Sequence, residues 1–153
     1  MVSIASARPD DVAMLAALMQ EMDNFYEVAN PEPIEAKIRN ISSMLSGAGP
    51  SAVVLLAWER GELAGFASYS YLWPAAGTTR SLYLKELYVR SGYRRSGVGQ
   101  ALMERLFGIA REKGCSRIEW TTDRGNCAAQ EFYRGIGAEP RPAKLFYRVE
   151  LGS

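Results

Sequence analysis

The sequence predicts a single-domain protein of the α/β class, of the mixed α+β type. Three observations predict this. The chain has 153 residues, the length of one domain, which we take as residues 1–153. Stretches with helical apolar spacing alternate with strand-like apolar runs, and glycine-rich turns separate them. The order β-α-α-β-β-β-α-β-α-β therefore predicts a twisted, mixed and largely antiparallel sheet of roughly six to seven strands, with helices on both faces.

The elements in the first part of the chain follow from apolar spacing and turn residues. Residues 2–7 are typical of a short strand, and Pro9 and Asp10 open a helix that Asp10 or Asp11 can cap. Apolar residues recur in this helix at helical spacing: Val12, Leu15, Met19, Met22 and Tyr26. The prolines at 30–33 end it. A second helix is predicted over 34–45, before a loop over 46–51.

A hairpin and a third strand follow. The apolar stretches 52–58 and 63–73 flank a turn that contains Gly61, which is typical of a β-hairpin. A turn at 75–78 precedes the strand 80–89. The helix between Gly97 and Gly114 has one apolar stripe: Val98, Leu102, Leu106 and Ile109. This helix connects two strands, so we expect those strands to be parallel.

The last predicted elements are a strand over 116–122, a helix between Asn126 and Gly137, and a strand over 145–151. Asn126 can cap the helix. The apolar face of this helix contains Ala129, Phe132, Tyr133 and Ile136.

The composition excludes several classes of function. The net charge of +1 gives no general attraction to nucleic acid or to a membrane. No apolar run approaches the ~20 residues of a membrane span, and the first residues lack a signal-peptide pattern, so we expect a cytoplasmic protein. Cys115 and Cys127 are too few for a disulfide framework or a zinc cluster. The sequence has no histidine, which excludes the usual triads, and we expect no metal.

The stretch 87–103 runs from a strand through two arginines and two glycines into a helix. The N–H groups of a first helical turn have no partner within the helix, and the helix dipole adds positive charge there. Gly97 and Gly99 let a phosphate approach the backbone, while Arg94 and Arg95 supply charge. The pattern is typical of an anion site, and its alternative is a strand–helix turn with solvated arginines.

Three stretches resemble the GNAT superfamily of acyl-CoA N-acyltransferases. Residues 94–99, RRSGVG, match its Q/R-x-x-G-x-G/A signature, and LYLKELYV at 82–89 is similar to its fourth strand. NCAAQEFYRGIGAE at 126–139 is similar to its N-x-x-A-x-x-F/L-Y-x-x-x-G-F/A segment. Residues 65–89 and 112–120 further resemble the diamine, spermidine and thialysine N-acetyltransferase branch. The resemblance implies a GNAT-like fold.

The resemblance also implies acetyl-CoA as the acyl donor. Its pyrophosphate would bind the signature loop: Arg94, Arg95, Ser96, Gly97, Val98, Gly99 and Gln100. Its pantetheine arm would pair with the backbone of Leu87, Tyr88 and Val89, where the family's strands splay apart. Asn126 would contact the arm or hold the following loop.

The resemblance implies direct transfer from the thioester to an amine. An alkyl ammonium has a pKa near ~10 and must first lose a proton. Tyr133 matches the family's general acid, with packing in the helix core as the alternative. Lys85 stands where the polyamine-type branch commonly has glutamate, which leaves Glu86 as the only carboxylate in the strand. Glu86 is a base, an ammonium-binding group or a salt-bridge partner, and a β-bulge could restore its direction.

The resemblance places the acceptor pocket between the early helices and the third and fourth strands. Asp23, Tyr26 and Glu27 offer carboxylates and an aromatic ring to an amine cation, although solvated acids at a helix end explain them too. Trp73 either walls the same pocket or belongs to the hairpin core. Lys85 would repel a strongly cationic substrate.

The leading interpretation is an N-acetyltransferase for a primary amine of a small molecule: a polyamine, an amino acid or an aminoglycoside. A protein lysine or N-terminal acetyltransferase is one alternative. A non-catalytic acyl-CoA-binding sensor is another; the missing glutamate at 85 keeps this alternative open, and Tyr133 counts against it. We expect no nucleic-acid partner and no membrane partner. Residues 145–151 are expected either to form an edge or exchange strand in a homodimer or to form a strand of the sheet core.

Overall fold

The computed structural model describes residues 1–47, 49 and 51–152. Its strands and α-helices are β1 (Val2–Ser6), α1 (Val12–Phe25), α2 (Ile34–Ser46), β2 (Val53–Glu59), β3 (Glu62–Leu72), β4 (Arg80–Val89), α3 (Val98–Glu112), β5 (Cys115–Glu119) and α4 (Cys127–Gly135). Residues 48 and 50 of the loop predicted over 46–51 lie outside the described residues. No helix within the described ranges is long and apolar enough to cross a membrane.

The strands form one mixed sheet in the order β1-β2-β3-β4-β5. The pairs from β1 to β4 are antiparallel, whereas β5 is parallel to β4. The parallel pair follows from α3, because a helix that crosses over the sheet returns the chain in the same direction. The predicted fold class and the parallel pair are therefore confirmed.

The strand predicted over 145–151 is wrong. In the part of the chain that the structure describes, these residues pair with no strand, so the sheet has five strands instead of six or seven. The alternating apolar side chains of this segment are exposed: Leu145, Tyr147, Val149 and Leu151. Alternation predicts a strand only where a neighbouring strand satisfies the backbone, and no such neighbour is present here.

Contacts along the chain divide it into two compact units, Met1–Trp120 and Thr121–Ser153. The first unit contains the whole sheet and α1 to α3, and the second contains α4. The assignment of residues 1–153 to one domain stays a prediction.

Within the first unit, α1 and α2 pack on one face of the sheet. Their buried residues share a core cluster with five sheet residues: Val54, Leu56, Leu63, Phe66 and Tyr88. The predicted apolar stripe of α3 is buried, and α3 packs along β3, β4 and β5. Glycine ends α3 as predicted, because Gly114 adopts a left-handed φ of 71° that favours glycine.

Candidate active site

A β-bulge in β4 determines where Glu86 points. Leu84 pairs with Tyr69 on β3, and Glu86 pairs with the next residue along β3, Ser68. Lys85 is therefore the extra residue of the bulge. Neighbouring residues of β3 face opposite sides of the sheet, so Leu84 and Glu86 also face opposite sides although they lie two apart.

The bulge turns Glu86 toward the face that α1 and α2 cover. Phe66 lies two residues from Ser68 on β3 and pairs with Tyr88, so Glu86 shares its face with both aromatic residues. Phe66 and Tyr88 are buried in the core cluster under α1 and α2. Glu86 is half-buried, whereas Lys85 is exposed. The bulge foreseen for this strand is present, and the role of Glu86 as a base stays a prediction.

The far half of β4 has an open edge on the side of β5. The parallel pairing runs from Arg80 with Cys115 to Tyr83 with Glu119 and stops there. From Leu84 to Val89, β4 pairs with β3 alone among the described residues. This edge includes Leu87, Tyr88 and Val89, whose backbone the resemblance assigns to the pantetheine arm. The pairing of β4 with β5 thus ends before this position, so this part of β4 has no partner strand on that side among the described residues.

The loop after β4 ends in an uncapped helix N-terminus. Gly97 is the residue before α3 and has a φ of 89°, in the left-handed region where glycine is preferred. Arg95 is also left-handed, with a φ of 64°. No side chain caps α3, and its first helical hydrogen bond runs from the N–H of Ala101 to the carbonyl of Gly97.

Three consecutive N–H groups, those of Val98, Gly99 and Gln100, precede that first bond and point out of the helix end. Arg95, Ser96 and Gly97 are exposed beside them. Ser96 donates its hydroxyl proton to the carbonyl of Tyr93, which tightens the loop. This arrangement has the donors and the dipole that an anion requires.

Arg94 folds back from the loop onto the end of β4. Its Nε donates a hydrogen bond to the carbonyl of Val89 at 2.9 Å. Its guanidinium lies 4.1 Å from the ring centre of Phe25 and 5.7 Å from that of Tyr88. The Phe25 and Tyr26 rings, at the end of α1, each pack edge-on against Tyr88. The structure thus brings the predicted acceptor residue Tyr26 beside the predicted cofactor loop.

The charges around Tyr88 act on its phenol in opposite directions. Burial raises the pKa of Tyr88, and Glu21 raises it further, whereas Arg94 and Arg90 lower it. The net effect is a raised pKa of Tyr88, with burial as the largest cause.

Two acidic residues that the sequence assigned to the acceptor have defined positions. The carboxylate of Asp23 pairs with the ammonium of Lys37 at 2.7 Å, and Lys37 is only 4% exposed. The same ammonium donates to the carbonyl of Glu32 at 2.6 Å, so Asp23 helps to join α1, α2 and their connection. Glu27 is exposed and left-handed, with a φ of 53°. Substrate binding by Asp23 and Glu27 stays a prediction.

The structure places Trp73 at the opposite end of the hairpin from Tyr26. Trp73 follows Leu72, which pairs with Ser81, whereas Tyr26 packs on Tyr88. Ser81 and Tyr88 are separated by roughly 20 Å along the strand, at about 3.3 Å a residue. Substrate binding by Trp73 stays a prediction. Its exposed indole donates to the carbonyl of Thr78 at 2.8 Å.

In the second unit, Asn126 caps α4. Its side-chain oxygen accepts a hydrogen bond from the N–H of Ala129 at 3.1 Å. Gln130 donates to the carbonyls of Asp123 and Arg124 and holds the preceding turn. The ring of Tyr133 is half-buried and packs against Phe132, with 5.3 Å between ring centres. The cap was predicted, while the roles of Asn126 toward the donor and of Tyr133 as an acid stay predictions.

The sequence interpretation missed one residue beside the site. A Cβ atom on Gly65 would lie 2.5 Å from the carbonyl oxygen of Tyr88 and 3.2 Å from the Cα of Val89. Gly65 therefore permits the close approach of β3 to the end of β4. A glycine inside an apolar strand pattern is the signal that could have revealed it.

Comparison with known proteins agrees with this geometry. The model of the Acetyltransferase (GNAT) family matches residues 15–138. The chain belongs to the GNAT family. The match includes β4, the signature loop and α4. These elements contain the stretches that resemble the GNAT superfamily.

Relatives of this GNAT protein include two named N-acetyltransferases. Thialysine N-epsilon-acetyltransferase from Sus scrofa is 29% identical over 76 residues, which are 50% of this chain and 44% of that protein. D-amino-acid N-acetyltransferase from Saccharomyces cerevisiae is 35% identical over 78 residues, which are 51% of this chain and 48% of that protein. The matched segments span slightly less than half of each relative's length.

The fold of this GNAT protein also matches a solved structure over nearly its whole length. The V. cholerae integron cassette protein has a TM-score of 0.89 and 29% identity. The match covers 97% of this chain and 92% of that chain. The chain is therefore a member of an acetyltransferase enzyme family with that family's fold.

Proposed function

We propose that this GNAT protein is an N-acetyltransferase that moves the acetyl group of acetyl-CoA directly to a primary amine of a small molecule. The observation that carries the proposal is the uncapped N-terminus of α3, which follows a left-handed Gly97 beside the open edge of β4. The family membership supports the same donor.

The residues of the first unit fit acetyl-CoA in two places. The N–H groups of Val98, Gly99 and Gln100 suit a pyrophosphate, because they are directed donors at the positive end of a helix. The open edge from Leu87 to Val89 offers backbone groups to the amides of a pantetheine arm. Acetyl-CoA would supply an activated thioester, so the protein itself needs no covalent intermediate.

The acceptor amine must be deprotonated and held. Glu86 would accept its proton, directly or through water, because the bulge turns this carboxylate toward the face where Tyr26 and Tyr88 lie. Tyr133 would donate a proton to the departing sulfur.

Three features support a small amine as the acceptor. The Tyr26 ring, which is exposed, can contact an alkyl ammonium through a cation–π interaction. The two relatives are named for acetylation of amino acids. Lys85, exposed beside Glu86, favours an acceptor that also carries a negative group over a pure polyamine. Among small amines, an amino acid therefore fits best.

Release of free thiol from acetyl-CoA tests the proposal. The panel contains amino acids with a side-chain amine, linear polyamines, aminoglycosides and lysine-containing peptides, near pH 8. We expect turnover with a small amine. Turnover with peptides alone would favour a protein acetyltransferase. No turnover, with a melting temperature that acetyl-CoA still raises, would favour a non-catalytic sensor.

A further inference from the structure

We propose that Phe25 is a positioning residue for coenzyme A binding, because its ring holds the guanidinium of Arg94 above the end of β4. The inference rests on the proposed function, since Arg94 begins the loop that would bind the pyrophosphate. Phe25 lies at the end of α1, far from this loop in sequence, and its contact with Arg94 is a tertiary one.

The geometry fixes the guanidinium from two directions. Its central carbon lies 4.1 Å from the Phe25 ring centre, well inside the range of a cation–π contact. The hydrogen bond from Nε to the carbonyl of Val89 holds the same group at its edge. Tyr88 supports Phe25 from below, with 6.1 Å between the ring centres. Arg94 is exposed, so its side chain would be expected to be mobile without these contacts.

A second contact holds the same segment to α1. Glu21 lies one helical turn before Phe25, and its carboxylate pairs with Nε of Arg90 at 3.0 Å. Arg90 also donates to the carbonyl of Leu63 at 3.2 Å. Glu21 and Phe25 on one face of α1 thus contact Arg90 and Arg94, which stand at the end of β4 and in the loop. The end of α1 therefore braces the start of the loop at two points.

These two contacts with α1 leave Arg94 in a position to bind a phosphate. A guanidinium has five N–H donors, and in the described chain only the Nε donor of Arg94 has a protein acceptor. The terminal donors remain for a phosphate, which arginine binds through paired hydrogen bonds. Because the side chain is already ordered, ligand binding has less conformational entropy to remove.

Calorimetric titration with coenzyme A tests the role of Phe25. Phe25→Leu keeps an apolar side chain but removes the ring, so we expect the Kd to rise about three- to tenfold. Phe25→Tyr keeps the ring and should bind coenzyme A with the affinity of the wild type. The turnover number at saturating acetyl-CoA should stay the same, since the change affects donor binding. Met14→Leu, an exposed substitution elsewhere on α1, is the matched control.

A double-mutant comparison separates positioning from general loss of structure. In an Arg94→Ala background, Phe25→Leu should have no further effect on the Kd. An equal effect in both backgrounds would overturn the proposal, as would a tighter Kd for Phe25→Leu, because the contact would then oppose binding.

Nuclear magnetic resonance tests the contact without any ligand. The ring of Phe25 should shift the side-chain protons of Arg94 upfield, and Phe25→Leu should remove the shift.

If the wild type and Phe25→Leu bound coenzyme A with equal affinity, only the role of Phe25 would be overturned. No binding of coenzyme A to the wild type would overturn the proposed function and this role with it.

Discussion

Glu86 lies directly opposite Ser68, and the preceding residue, Lys85, has no paired residue on β3. This relationship places the only carboxylate of β4 on the face that α1 and α2 cover. Without the bulge, alternation from Leu84 would put Glu86 on the opposite face of the sheet. The proposed role of Glu86 therefore depends on one extra residue in the strand.

Glu86→Gln should lower kcat at least about tenfold, because a neutral amide cannot accept the proton of the ammonium. The acid limb of the profile of kcat/KM against pH should flatten as well. The measurement is the rate of thiol release across pH. Glu112→Gln, at the end of α3, is the control. An unchanged profile would remove Glu86 from the role of base.

Lys85→Gln should improve the use of a diamine relative to an amino acid. Removing one positive charge beside the acceptor lowers repulsion by about 1 kcal/mol, or about fivefold in kcat/KM. The ratio of kcat/KM for 1,4-diaminobutane to that for lysine is the quantity to measure. Lys113→Gln, at the end of α3, is the control, and an equal change there would contradict a local effect of Lys85.

Tyr133→Phe should reduce kcat about tenfold or more while the Kd of coenzyme A stays the same, because only the proton donor is removed. Tyr147→Phe in the same unit is a matched control, since Tyr147 is 83% exposed. Steady-state rates and calorimetric Kd values check both. If turnover were equal to that of the wild type, Tyr133 would have a packing role instead.

Gly65→Ala should weaken coenzyme A binding and lower the melting temperature. Its Cβ would meet the carbonyl of Tyr88 at 2.5 Å, and the end of β4 would have to move away from β3. Overpacking of this kind typically costs about 1–3 kcal/mol. Gly92→Ala is the control, because its Cβ would meet nothing within 4 Å. Similar melting temperatures for the two variants would contradict the close approach.

Asp23→Asn should destabilise the protein by about 3 kcal/mol, since it leaves the buried ammonium of Lys37 without its anion. An unchanged KM for the acceptor would assign Asp23 to this ion pair alone. Thermal unfolding and acceptor kinetics measure the two effects. The double variant Asp23→Leu with Lys37→Met should recover much of the stability. A raised acceptor KM with normal stability would instead place Asp23 in the acceptor site.

The sequence was sufficient for the elements whose signals are local. Helical spacing predicted α1 and α3, and the glycine turn predicted the hairpin of β2 and β3. The signature loop was predicted as well, because the αL geometry at Gly97 and the free helix N-terminus depend on residues close in the chain. The prediction of a strand over 145–151 was wrong, because a strand needs a partner strand, and the residues of the segment do not specify one.

What the sequence by itself determined is the fold class, the glycine-containing loop before α3 and the identity of the only carboxylate in β4. The tertiary structure decided which way that carboxylate points, because the register of β3 against β4 makes Lys85 the bulged residue. It also decided that Asp23 pairs with Lys37 and that Phe25 contacts Arg94. These contacts join residues distant in the chain, and their geometry arises only when the helices pack on the sheet.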